Sequence, residues 1–184
     1  HLEARIMELK ERYNVGCLIV DDENFGSNRK QGYECARVMK KHDMYWSAEG
    51  ARASSISHED LKFYKAHNLL AIRYGIESGS QKILDIMEKK TTTEKVYENI
   101  ASCKKLDIAT ASEVMMLGTP GETRETVIET AGFSARLRYL LGNDWNTFYP
   151  CWATAIPGTP LYEYSQQIGV IGKTLDEEEN YLYR

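Results

Sequence analysis

Three segments of the chain place carboxylates, hydroxyls and glycines directly after apolar runs: Cys17–Asn24 (CLIVDDEN), Leu69–Ser80 (LLAIRYGIESGS) and Val114–Thr123 (VMMLGTPGET). A carboxylate at the end of a strand, such as Glu77, can accept two hydrogen bonds from a sugar diol, and charge assistance makes these strong. Gly75 and Gly79 on either side let a ligand approach the backbone. Glu77 and Ser78 can equally cap the helix that follows. Asp21, Asp22 and Glu23 can hold an ammonium group or a metal ion, or form a solvated turn. Glu122 sits where a helix begins, and capping at the positive helix end accounts for it. GTPGET is no phosphate loop, because it lacks the lysine and the GK[ST] spacing. Lys89 and Lys90 close a short helical stretch, where they can pair a ligand carboxylate or complement the helix dipole.

These residues need a scaffold that brings them together. Apolar spacing predicts helices over Leu2–Tyr13, Arg29–Lys41, His58–His67, Ser80–Glu88, Thr93–Leu106, Glu122–Leu141 and Leu161–Gln167. Two are announced by cap signals, Ser57-His-Glu-Asp60 and Thr91-Thr-Thr-Glu94. Between them fall strands over Cys17–Val20, Met44–Ala48, Leu69–Gly75, Ile108–Leu117 and Asp144–Ala153. Strand and helix alternate without a hairpin signal, which predicts a parallel sheet with right-handed crossovers. The C-terminal ends of such strands share one rim, so Glu77, Gly118 and Cys151 are predicted to be neighbours around a common mouth. No linker divides the 184 residues, so one domain is expected, with an irregular acidic tail from about residue 170 onward.

A net charge of −4 argues against a dedicated nucleic-acid surface. No apolar run approaches the roughly 20 residues that span a bilayer, and the charged N-terminus is not a signal peptide; a cytoplasmic protein is expected. Cys17, Cys35, Cys103 and Cys151 form no CxxC pair, and His1, His42, His58 and His67 have no metal-ligand spacing. Cys17 and Cys151 lie in apolar runs and are expected as reduced core thiols.

IVDDENF, YGIESGSQKILDIMEKKTT, VMMLGTPGETRETV and PGTPLYE, in this order, resemble a radical S-adenosylmethionine (radical SAM) domain. The resemblance is to the subgroup that often carries an N-terminal cobalamin-binding domain and includes Mg-protoporphyrin monomethyl ester oxidative cyclase-like proteins. It runs to about Tyr164. It implies an α/β fold, a partial (β/α)6 TIM-like barrel of parallel strands. It also implies S-adenosylmethionine (SAM) and a [4Fe-4S] cluster held by a CxxxCxxC loop, since thiolate suits iron. No CxxxCxxC occurs here, so the chain is expected to be a fragment, strands two to six with the first strand missing, and inactive alone. Ile156 stands where the family usually has an aromatic residue, and the acidic loop has one extra residue.

Carried over by position, the resemblance places Asp21 and Asp22 at the methionine amino group of SAM. Glu49 or Arg52 would face its ribose or carboxylate, Glu77 and Ser78 its ribose, and Lys89 its carboxylate. Met116, Leu117 and Gly118, with Cys151, Trp152 and Ala153, would flank the adenine. The parent enzyme would run radical methylation, cyclisation or related oxidoreductase chemistry. A different possibility is a natural cluster-less module using the same rim for a nucleotide or a protein. The edge of the Cys17–Val20 strand is expected to be uncovered, which predicts self-association.

Overall fold

The computed structural model describes residues 1–112, 115–142 and 150–182. Five parallel pairings organise it. Strands β1 (Cys17–Asp21), β2 (Tyr45–Ala51), β3 (Leu69–Tyr74) and β4 (Ala109–Ser112) lie side by side in sequence order. A second pair, β5 (Met115–Leu117) and β6 (Pro150–Trp152), is joined to β3 by a parallel bridge between Glu77 and Met115. The predicted fourth strand is therefore met as two segments, β4 and β5, and residues 113–114 between them lie outside the described residues. So do residues 143–149, which include the first part of the predicted fifth strand.

Helices connect the strands: α1 (Leu2–Tyr13), α2 (Arg29–Lys41), α3 (His58–Ala66), α4 (Gln81–Ile86), α5 (Thr93–Lys105), α6 (Arg124–Leu141), α7 (Pro160–Gln167) and α8 (Leu175–Leu182). Local chemistry sets their starts. Ser57 and Asp60 form a reciprocal capping box on α3. On α5 the cap is Thr92, which accepts from the Lys95 amide, one residue later than the sequence signal suggested. Thr123 caps α6, so that helix starts two residues after Glu122.

Trp46, Ala48, Ile72 and Tyr74 are buried in the main core, which Ile6, Met39, Leu61, Tyr64, Ile100 and Leu137 from the helices share. The buried Trp46 indole N–H is satisfied by the His67 carbonyl at 2.8 Å. On β1, Leu18 and Val20 pack on this core, whereas Ile19 between them is 65% exposed. Among the described residues the four-stranded sheet is bordered by β1 and β4 and the second pair by β5 and β6, so the sheet is open.

Two expectations are corrected. The region from about 170 is not an irregular tail: it contains α8, and Ile171 and Tyr181 join Ala155, Leu161 and Tyr162 in a second, small apolar cluster. Tyr181 and Ile171 supply the apolar surface that the acidic composition hid. Cys17 and Cys151 are exposed, not core thiols, because both sit on border strands. Cys103 is the buried thiol, and burial pushes it up to about 11.

Candidate functional site

The rim is built by register. Asp21 at the end of β1 pairs with Glu49 of β2. Tyr74 of β3 pairs with Ser112, Glu77 beyond β3 bridges Met115, and Met116 and Leu117 pair with Cys151 and Trp152. Residues far apart in the chain thus become lateral neighbours.

At the acidic end, Asp22 accepts the Asn24 amide at 2.7 Å. Its main chain is pressed against β2 at Gly50, whose φ is +69°. A Cβ there would meet the Asp22 carbonyl carbon at 2.9 Å, so glycine is required. Glu49 pairs with Arg73 of β3 at 2.9 Å. Sequence reasoning missed Arg73. Its signal was a charge set between Ile72 and Tyr74, both of which point into the core. Arg52 is exposed, and its carbonyl accepts the Ser55 amide in the turn after β2.

In the middle stands Glu77. Its backbone is left-handed (φ 65°), a rare conformation for a residue with a side chain. Its carbonyl accepts the Met116 amide at 2.7 Å. Its carboxylate accepts from Lys89 Nζ at 2.7 Å, the two side chains being 15% and 26% exposed. A Cβ on Gly75 would lie 2.9 Å from Glu77 Oε1, so Gly75 leaves the room this carboxylate uses. Glu88 and Lys90 are also left-handed, and the tight backbone they form delivers Lys89 to Glu77.

The rest of the ESGS segment serves a different purpose. The Ser78 hydroxyl is buried and lies 3.0 Å from Thr130 Oγ1, which also accepts the Gly79 amide at 3.2 Å. A Cβ on Gly79 would lie 2.8 Å from Thr130 Cα and overlap Phe133. Ser80 Oγ donates to Glu129. These residues dock the loop on α6; Thr130 is not foreseeable from local pattern because its partners are about fifty residues away.

At the apolar end, Gly118 turns the chain with φ 83°, and its amide donates to Glu122 Oε2 at 2.5 Å. Glu122 therefore braces the loop instead of capping α6. The Ala153 amide donates to the Leu117 carbonyl at 2.7 Å, and Trp152 is 76% exposed. The rim grades from carboxylates through an ion pair to a main-chain and apolar wall. This layout suits an elongated ligand with an ammonium or carboxylate at one end, hydroxyls in the middle and a flat ring at the other.

Among the described residues no group of three or more His, Cys, Asp or Glu is placed to hold a metal ion. The cysteines lie on separate elements, and burial pushes the Cys35 thiol up to about 11. The described residues therefore do not fit an iron–sulfur cluster.

The chain is an α/β protein with an open parallel sheet whose polar groups stand on the C-terminal rim. The Radical SAM superfamily model matches residues 1–134, and the chain belongs to that superfamily. Family members use SAM and a [4Fe-4S] cluster. The chain is 30% identical over 166 residues to the anaerobic magnesium-protoporphyrin IX monomethyl ester cyclase of Cereibacter sphaeroides, covering 86% of this chain and 26% of that protein. It is 28% identical over 171 residues to an uncharacterized methyltransferase of Pyrococcus horikoshii, covering 90% and 36%. The chain thus spans about a quarter to a third of these relatives' lengths.

Among solved structures, the radical SAM methyltransferase TsrM from Kitasatospora setae, with cobalamin and a [4Fe-4S] cluster bound, has the same fold. Its TM-score is 0.75 at 16% identity, covering 95% of this chain and 33% of that one. Coproporphyrinogen III oxidase of Escherichia coli matches with a TM-score of 0.63 at 14% identity, covering 99% and 42%. No described helix is long and apolar enough to cross a membrane.

Proposed function

We propose that this chain supplies the SAM-binding rim of a radical SAM enzyme of the methyltransferase and cyclase type. The observation that carries the reading is Glu77, held left-handed between β3 and β5 with its carboxylate on Lys89. A carboxylate so placed can take both hydroxyls of a ribose. Asp21 and Asp22, beside Glu49, would receive the amino group of the methionine portion, and Lys89 its carboxylate. Met116–Gly118 and Cys151–Ala153 would flank the adenine. SAM, when bound, supplies the carbon–sulfur bond whose cleavage the family exploits. The residues of this chain would bind and orient it.

The test is calorimetric titration of the chain with SAM, with ATP as the control, beside anaerobic iron–sulfur reconstitution. The expected result is SAM binding that Glu77→Gln weakens about tenfold or more, the scale of a lost charged hydrogen bond, with iron well below four per chain. Equal SAM affinity in the variant, or a stoichiometric four-iron cluster, overturns the reading.

A further inference from the structure

After β5 turns away at Gly118, the ladder that holds β6 loses its next acceptor. Parallel pairing sends the Ala153 amide to the Leu117 carbonyl and would send the Ala155 amide to Thr119. The Thr119 carbonyl is occupied by the Glu122 amide at 3.1 Å, inside the GTPGE turn. The Ala155 amide donates instead to the Tyr181 hydroxyl at 2.8 Å, and Ala155 is buried. Tyr181 belongs to α8, far along the chain, and α8 is fastened by Gln166 to Glu178 at 2.6 Å and by the cluster of Ala155, Tyr162 and Ile171.

We infer that Tyr181 is a positioning residue for the nucleobase side of the rim, its hydroxyl standing in for the missing strand carbonyl. It fixes the segment that continues from Ala153, which pairs with no strand beyond that point among the described residues, and thereby sets where the Cys151–Ala153 wall stands against Gly118. The role rests on the proposed reading of that wall as the adenine side. α8 is thus tied through Tyr181 to the segment that follows the Cys151–Ala153 wall.

The experiment compares the wild-type chain with Tyr181→Phe in two measurements: amide hydrogen exchange, and saturation-transfer NMR with S-adenosylhomocysteine. Phenylalanine keeps the apolar contacts and removes only the acceptor. The Ala155 amide is expected to exchange faster in the variant while β1–β4 amides do not change. Saturation of the adenine protons should fall relative to the homocysteine protons, with affinity about threefold to tenfold weaker. Unchanged exchange at Ala155, or an unchanged saturation pattern with wild-type affinity, overturns the role of Tyr181. No contact between the wild-type chain and S-adenosylhomocysteine overturns the reading of the site itself, and the role with it.

Discussion

Lys89 Nζ lies 2.7 Å from Glu77 Oε1, and the two residues approach each other from loops that both contain left-handed, non-glycine backbone. Such conformations, at Glu77, Glu88 and Lys90, cost on the order of 1–3 kcal/mol each and persist where the surroundings over-determine them. The pair is held in advance of any ligand. Lys89→Met is expected to weaken S-adenosylhomocysteine but not adenosine, because only the former carries a carboxylate. Glu77→Gln is expected to weaken both. Titration of each variant with the two compounds checks this; equal losses for both compounds in Lys89→Met would contradict the assignment.

The loop after Glu77 rests on α6 through a glycine with no space beside it. Gly79→Ala is expected to cost about 1–3 kcal/mol through overpacking against Phe133 and Thr130. Thr130→Val keeps the volume but strands Ser78 and the Gly79 amide, costing about 1–2 kcal/mol. Urea melts of the two variants read these losses, and a wild-type midpoint for Gly79→Ala would be the adverse result.

Glu3 of α1 accepts Lys41 at 2.6 Å and His42 at 2.8 Å. The hydrogen bond from Lys41 leads in pulling its carboxyl from the ordinary 4.5 down to about 2. A depressed acid stabilises the fold above its unfolded value and loses that contribution as pH falls through the folded one. The docking of α1 on α2 should therefore weaken between about pH 4.5 and pH 2. Glu3→Gln should flatten this acid dependence in thermal melts taken across that window, and identical slopes for the two proteins would exclude it.

Ile19 sits on border strand β1 and faces away from the core. An unpaired apolar border strand is a template for pairing. The chain is expected to self-associate with rising concentration, and Ile19→Lys to suppress it. Light scattering decides, and a monomer at every concentration would refute the expectation.

The rhythm of strand and helix was legible because its signals are local: apolar period, cap residues and turn residues. Arg29–Lys41 matched its predicted bounds. Glu77 and Gly118 were also legible as members of one rim, since parallel strands must end together. What escaped the sequence is what only tertiary contact creates. Arg73 looked like part of a strand until its partner Glu49 came alongside. Ser78 reads from the sequence as a ligand group or a helix cap, and only tertiary contact shows its hydroxyl 3.0 Å from Thr130 Oγ1. The acidic stretch ending the chain hid a helix because two aromatic and aliphatic contacts, Tyr181 and Ile171, outweigh its charge once packed. The exposure of Cys151 followed from its being on a border strand, which hydropathy does not encode.

One helix, α6, starts in the GTPGET turn and, two turns on, holds the ESGS loop through Thr130 and Phe133. The two loops are therefore coupled through one helix. Because Phe133, Leu137 and Leu141 of α6 also pack in the main core, gentle denaturation that loosens this helix should disturb the GTPGET turn and the ESGS loop together.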